Sequence, residues 1–363
     1  MIDNRGLLKN LLAKGRIRLQ DGDTLREIPP ALPESIGFQK VEGMLLGLAI
    51  GDSLGAASEG MLTSERLRRH GEIRGFTPSR LSDWRPVGVP TGDTQLSFWT
   101  LEQLIVDRGL IPDNLARHFC EHRIRGVGST TRAFIRNWKD RHVRWYRAGP
   151  DSLDNGALMR VAPVLVPHLR QQSPSPCVDA AIAAMITHNS YASNATCVAF
   201  VKMLWQLLGM GATPRPRWWV DTLCGTVEEL EGDVRYAEQR MPLGKHTRRR
   251  VNSALRRKLS VVQACEEFGS GSSLFETLPS VLYILAKHAA SPEEAIIRAV
   301  NDTKDSDTIG AIVGAAVGAL HGLKGLPQPW IDDLLGQTRV DTADDGRVFK
   351  LLLQAKRLFW LSG

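Results

Sequence analysis

The stretch GMLLGLAIGDSLG, residues 43–55, places glycine at positions 43, 47, 51 and 55 with mostly apolar residues between them. Residues four apart share one face of an α-helix, so this spacing writes a smooth backbone stripe along one side. A glycine inside a helix costs about 1 kcal/mol relative to alanine, and four at a regular interval call for a packing reason. The spacing returns at Gly310, Gly314, Gly318 and Gly322 in IGAIVGAAVGALHG, residues 309–322. Both stretches predict close-packed core helices, a rigid platform on which a site can be built. Outward from them the apolar spacing stays helical, predicting helices over 41–57, 94–107, 113–123, 129–138, 178–188, 194–209, 273–288, 293–302, 308–322 and 346–361. Strand-like alternation is nearly absent, and the predicted class is all-α.

The chain has 363 residues, enough for one large domain or two, and a formal net charge of +7 that admits a phosphate-bearing ligand or an acidic partner. Its five cysteines, Cys120, Cys177, Cys197, Cys224 and Cys265, are odd in number and form no C-x-x-C pair, which argues against a disulfide framework and a zinc site. The longest glycine-and-apolar runs fall short of the roughly 20 residues that span a bilayer. The N-terminus lacks the apolar core and cleavage site of a secretory signal. These features predict a cytoplasmic protein without membrane contact. Residues 1–36 read as a separate basic arm, ended by the prolines of IPPALPES, and residues 37–363 as the body.

Acids collect just before the second glycine stripe, in NDTKDSDTIG. One acid suffices to cap a helix, whereas Asp302, Asp305 and Asp307 exceed that need and repel unless a cation or proton lies between them. Hard oxygen donors without nearby cysteine or histidine suit magnesium, calcium or manganese. Asp93, with the hydroxyl of Thr91, offers the same chemistry at another helix start. Asp52, inside the first glycine stretch, reads as a structural hydrogen-bond acceptor.

GMLLGLAIGDSLGAASE, PTGDTQL, DNGALMRVAPV, THNSYASNA and DSDTIGAIVGAAVGALHG follow one another in the order seen in the ADP-ribosylglycohydrolases. Over about residues 38–325 the chain resembles that family, of the dinitrogenase-reductase-activating glycohydrolase type. The resemblance implies a single large orthogonal helical domain with two magnesium ions in a central cleft. It implies hydrolysis of the bond between ADP-ribose and an acceptor on modified protein, often arginine. By position, Thr91, Asp93, Asp305, Asp307 and Thr308 look like metal ligands, and Glu59, Asp93 and Asp307 like the catalytic acids. Gly126, Gly128, Ser152, Asn155, Gly156 and His188 fall where the family holds the nucleotide. The family pattern TDDT is TGDT here, so Gly92 replaces an acid and puts the second ion in question. Restoring the acid, Gly92→Asp, is expected to tighten metal binding.

Two other readings stay open: a partly degenerate hydrolase scaffold that acts as a binding or inhibitor protein, and a hydrolase of another ADP-ribose linkage. The arm supports a partner. An extended glycohydrolase of this kind looks like the immunity proteins that protect bacteria from ADP-ribosylating toxins, and Arg5, Lys9, Lys14, Arg16 and Arg18 are the residues expected to meet a cognate transferase. The basic run at residues 245–259 reads as the solvated face of a helix, not as a nucleic-acid site, since no interleaved aromatics accompany it.

Overall fold

The computed structural model describes residues 4–78, 84–170, 175–337 and 347–361. In chain order its helices are α1 (Asn4–Ala13), α2 (Gln39–Gly55), α3 (Thr63–His70), α4 (Gly92–Asp107), α5 (Pro112–Glu121), α6 (Ser129–Lys139) and α7 (Trp145–Ala148). They continue with α8 (Ser175–Thr187), α9 (Tyr191–Gly209), α10 (Pro216–Glu231), α11 (Leu243–Arg256) and α12 (Val261–Phe268). The chain ends with α13 (Leu274–His288), α14 (Pro292–Asp302), α15 (Ser306–His321), α16 (Gln328–Gln337) and α17 (Arg347–Phe359). Among the described residues there is no strand, only one isolated bridge between Asp154 and Ser273. The all-α prediction holds, and each predicted helix has a counterpart. The helices α3, α7, α10, α12 and α16 were not anticipated, being short or weakly periodic.

The two glycine stripes are each other's partners. Gly43 lies against Gly318 and Gly322, Gly47 against Gly314, Gly51 against Gly310, and Gly55 against Ser306 and Asp307. The helices α2 and α15 therefore run antiparallel with backbone on backbone; a Cβ on Gly310 would stand 2.6 Å from the carbonyl oxygen of Gly51. Both helices are almost wholly buried along their length. This pairing sets the site, because it brings the exit of α2 onto the start of α15.

Residues 4–36 do not hang free. Leu8, Leu11, Ile17, Leu19 and Leu25 are buried in the common core. Asn4 Nδ2 donates to Asp179 Oδ1 at 2.7 Å, and Trp205 Nε1 donates to the Pro30 carbonyl at 2.9 Å. Asn189 and Asn194 of the THNSYASNA motif donate to the carbonyls of Arg16 (2.7 Å) and Arg18 (3.0 Å). The segment expected as a tethered arm is thus docked on α8, α9 and α10, because its leucines bury more apolar area there than a solvated tail could. Arg5, Lys9 and Lys14 remain exposed, while Arg18 pairs with Asp151.

The basic run forms most of α11, which buries Thr247, Val251 and Ala254 and turns its charges outward. Arg248 pairs with Glu228 at 2.8 Å and with Asp221 at 2.6 Å. All five cysteines are buried and unpaired. Among the described residues no helix is long and apolar enough to cross a membrane.

Candidate active site

Three chain segments meet where α2 leaves the α2–α15 pair. The turn after α2 carries Glu59, the start of α4 carries Asp93, and the start of α15 carries Asp305, Asp307 and Thr308. All five line one polar cleft that opens to solvent. Gly126, Gly128, Asn155, Gly156 and His188 line the same cleft.

Carboxylate oxygens of Glu59, Asp305 and Asp307 lie within 4.8 Å of one another. Asp93 Oδ2 is buried and makes no hydrogen bond among the described residues. Burial first, and then the charges of Asp93, Asp305 and Glu59, push the Asp307 carboxyl well above the ordinary range. Burial and the Asp52 charge do the same to Asp93. Enclosure by the cleft walls and the charges of Asp305 and Asp52 raise Glu59. Crowded carboxylates with no basic residue among them, one with an orphaned oxygen, fit a divalent cation bound by oxygen.

The supports differ in kind. Asn155 Nδ2 donates to Asp305 Oδ2 at 2.7 Å and to Thr277 Oγ1 at 2.9 Å, so this amide orients the carboxylate from across the cleft. Asp52 Oδ2 accepts from the Thr91 N–H (2.9 Å), the Thr94 N–H (3.1 Å) and the Thr94 hydroxyl (2.5 Å). It thereby holds the first turn of α4, a structural acceptor as expected. Arg66, fully buried on α3, clamps the Glu59 turn from behind. Its Nε donates to Ser58 Oγ (2.8 Å), and its other nitrogens reach the carbonyls of Asn301 (2.8 Å) and Ser58 (3.1 Å). Gly60 N–H donates to the Lys304 carbonyl at 2.9 Å, tying that turn to the approach of α15.

Several sequence expectations change. Thr91, expected as a ligand, caps α4: its hydroxyl accepts from the Asp93 N–H at 3.3 Å. Ser152, expected at the nucleotide, donates its hydroxyl to Asp154 Oδ2 at 2.9 Å. Asp302 faces Arg298 at 3.2 Å, so the acid trio contributes two members, not three. Asp154, which the sequence reading passed over, lines the cleft and pairs with His188. Burial would raise its carboxyl, but the His188 ring, the Thr130 hydroxyl and the Gly156 N–H outweigh that and hold it well below the usual range. Its place directly before Asn155 and Gly156 in DNGALMR was the available signal.

Gly92 is a packing residue. A Cβ there would lie 2.6 Å from the Arg125 carbonyl oxygen and 2.8 Å from Ile124 Cγ2. Arg125 cannot easily retreat, because its N–H is held by Gln95 Oε1 at 2.8 Å. The expected gain from Gly92→Asp is therefore reversed. The variant should lose about 1–3 kcal/mol by overpacking, with no tightening of metal binding; urea unfolding and calorimetric metal titration check the two parts.

The model of the family described as ADP-ribosylglycohydrolase matches residues 33–357. The chain is 25% identical to the ADP-ribosylarginine hydrolase Tri1 of Serratia proteamaculans, over 92% of this chain and 86% of that protein. It is also 25% identical to the ADP-ribosyl-[dinitrogen reductase] glycohydrolase of Rhodospirillum rubrum, over 80% and 89%. A solved structure titled ADP-ribosylglycohydrolase-related protein complex shares its fold, with a TM-score of 0.62 at 22% identity, covering 88% of this chain and 98% of that one. An acidic cleft at the meeting of α2, α4 and α15, in a chain matched by that family model over nearly its whole length, makes this protein a member of the ADP-ribosylglycohydrolase family and a hydrolase of ADP-ribose linkages.

Proposed function

We propose that the protein releases ADP-ribose from arginine side chains of modified protein, with magnesium held by Asp93, Asp305, Asp307 and Thr308. The observation that supports this most is the convergence of these groups with Glu59 on one cleft that is also lined by the start of α6. Gly128 precedes α6 and supplies no side-chain cap, so the first N–H groups of that helix are open to an anion. Such a helix start suits a diphosphate. Nothing stands within 4 Å of where a Cβ would project at Gly126 or Gly128, which leaves room for the ligand to approach the backbone. His188, fixed by Asp154, and Asn155 with Gly156 bound the far wall, where the ribose is to sit.

Cleaving the glycosidic bond builds positive charge at the ribose carbon while water attacks. A bound divalent ion supplies polarisation of ribose hydroxyls and a more nucleophilic water. Glu59, at the cleft mouth with its carboxyl raised, takes the proton from the attacking water. Asn155 keeps Asp305 turned inward, and Arg66 keeps Glu59 in place. Incubation with arginine-linked mono-ADP-ribosylated protein should release free ADP-ribose with magnesium and not with a chelator. No release under any divalent cation would favour a binding scaffold, and release from serine-linked substrate alone would move the reading to another linkage.

A second role is suggested by the exposed Arg5 and Lys9 of α1 and Lys14 just past its end, beside buried Leu8 and Leu11. They form a basic face for a cognate ADP-ribosyltransferase, consistent with immunity against a toxin. Truncating residues 1–36 would uncover the core and cannot test this. Reversing the three charges, Arg5→Glu, Lys9→Glu and Lys14→Glu, leaves the leucines in place. It should abolish co-purification with a transferase encoded beside the gene and leave hydrolysis unchanged. Undiminished co-purification would remove this role.

A further inference from the structure

Outside the cleft, a second group of metal-ligating side chains stands at the end of α5. His118, Glu121 and His122 each present one donor atom, and the three atoms lie within 4.8 Å of one another. His118 lies in the last turn of α5 and His122 just past its end in extended backbone, and the chain's exit from the helix brings the two ring centroids within 5.2 Å of each other. Glu102 on α4 approaches from the other side, its carboxylate 3.4 Å from His118 Nε2. That nitrogen is buried and makes no hydrogen bond among the described residues. Glu121 Oε2 lies 4.0 Å from the other ring nitrogen, His118 Nδ1. Trp99 packs against both imidazole rings, with centroids 6.1 Å and 5.2 Å away, and walls the group on the inner side. The helix end adds the partial negative charge of its last carbonyls.

From this arrangement we infer a second metal site, for a transition ion of the zinc class, with His118, His122 and Glu121 as ligands and Glu102 orienting the His118 ring from α4. Its chemistry differs from that of the cleft. Imidazole nitrogens select zinc, copper, nickel or cobalt, whereas the all-oxygen cleft suits magnesium or manganese. The site lies at the end of α5, against Trp99 of α4, at the root of the loop that carries Arg125 and Gly126. Arg125 is held to Gln95 of α4, and Gly126 lines the cleft. An ion here staples the base of the cleft wall without entering the cleft.

The test uses the full chain, stripped with a chelator and then kept in excess magnesium so that the oxygen site is satisfied. Zinc is titrated against a chromophoric zinc chelator. One equivalent should bind, and cobalt in its place should give the intense visible bands of a low-coordinate site with nitrogen ligands. His118→Ala and His122→Ala should each weaken zinc by at least about tenfold, while Asp307→Asn should leave it unchanged. His122 is exposed, so its variant keeps the fold, which a melting curve in chelator verifies. Zinc should raise the melting temperature of the parent and not of His122→Ala. Equal zinc affinity in parent and His122→Ala would overturn the site, as would loss of zinc binding in Asp307→Asn alone.

Discussion

Replacing Asp307 by asparagine is expected to lower turnover by about a thousandfold or more, since a lost ionic ligand removes several kcal/mol of charge stabilisation. The substitution keeps the shape of a buried side chain packed among Glu59, Asp93 and Asp305, so the loss reports charge and not a cavity. Stability should move in the opposite direction when metal is absent. Those carboxylates repel one another in the folded chain, and removing one charge relieves that repulsion, so the metal-free variant should melt no lower than the parent. With magnesium the order reverses. The parent gains about 2.7 kcal/mol at a hundredfold excess over its dissociation constant, and the variant gains far less. Steady-state release of ADP-ribose and melting curves with and without magnesium measure both parts. A variant with the parental rate and the parental magnesium shift would show that Asp307 holds no ion.

Gly314→Ala should be among the most destabilising single-methyl changes in the chain, with Gly51→Ala and Gly318→Ala beside it. The added Cβ would overlap the Gly47 carbonyl, whose carbon would lie 2.6 Å away. Overpacking in a core usually costs 1–3 kcal/mol because side chains rotate aside, and here the neighbour is backbone that cannot rotate. A loss of about 3 kcal/mol or more follows, read as a lower urea midpoint. The cost should spread to the site, because separating α15 from α2 parts Asp307 from Glu59. Alanine at Gly109 has no neighbour within 4 Å, but its φ of +149° makes it a poor control; Gly128, with open space and ordinary backbone, is the better one for stability. A Gly314→Ala protein as stable as the parent would mean that the two helices can part cheaply.

Much of this architecture was legible from local pattern. Helical periodicity and the two glycine stripes report on residues three and four apart, which share a face whatever the rest of the chain does. The acids before α15 were legible for a related reason: carboxylates so close in the chain must be close in space. The packing role of Gly92 was not legible, because it depends on Arg125, 33 positions away, whose carbonyl oxygen would lie 2.6 Å from an added Cβ. Asp154 was missed because its meaning comes from His188, on the far side of α8 in the chain.

By itself the sequence determined the helical class, the close-packed helices α2 and α15, and the acids at the helix starts, since each follows from spacing within a few residues. Tertiary structure alone decided that the two stripes face each other, and that Asn155 braces Asp305 from across the cleft. It also decided that residues 4–36 are docked and that Glu102 stands opposite His118. The physical reason is common to all four. They depend on contacts between segments distant in the chain, and such contacts are selected by packing of the whole core, where a single backbone approach excludes alternatives that local pattern leaves open.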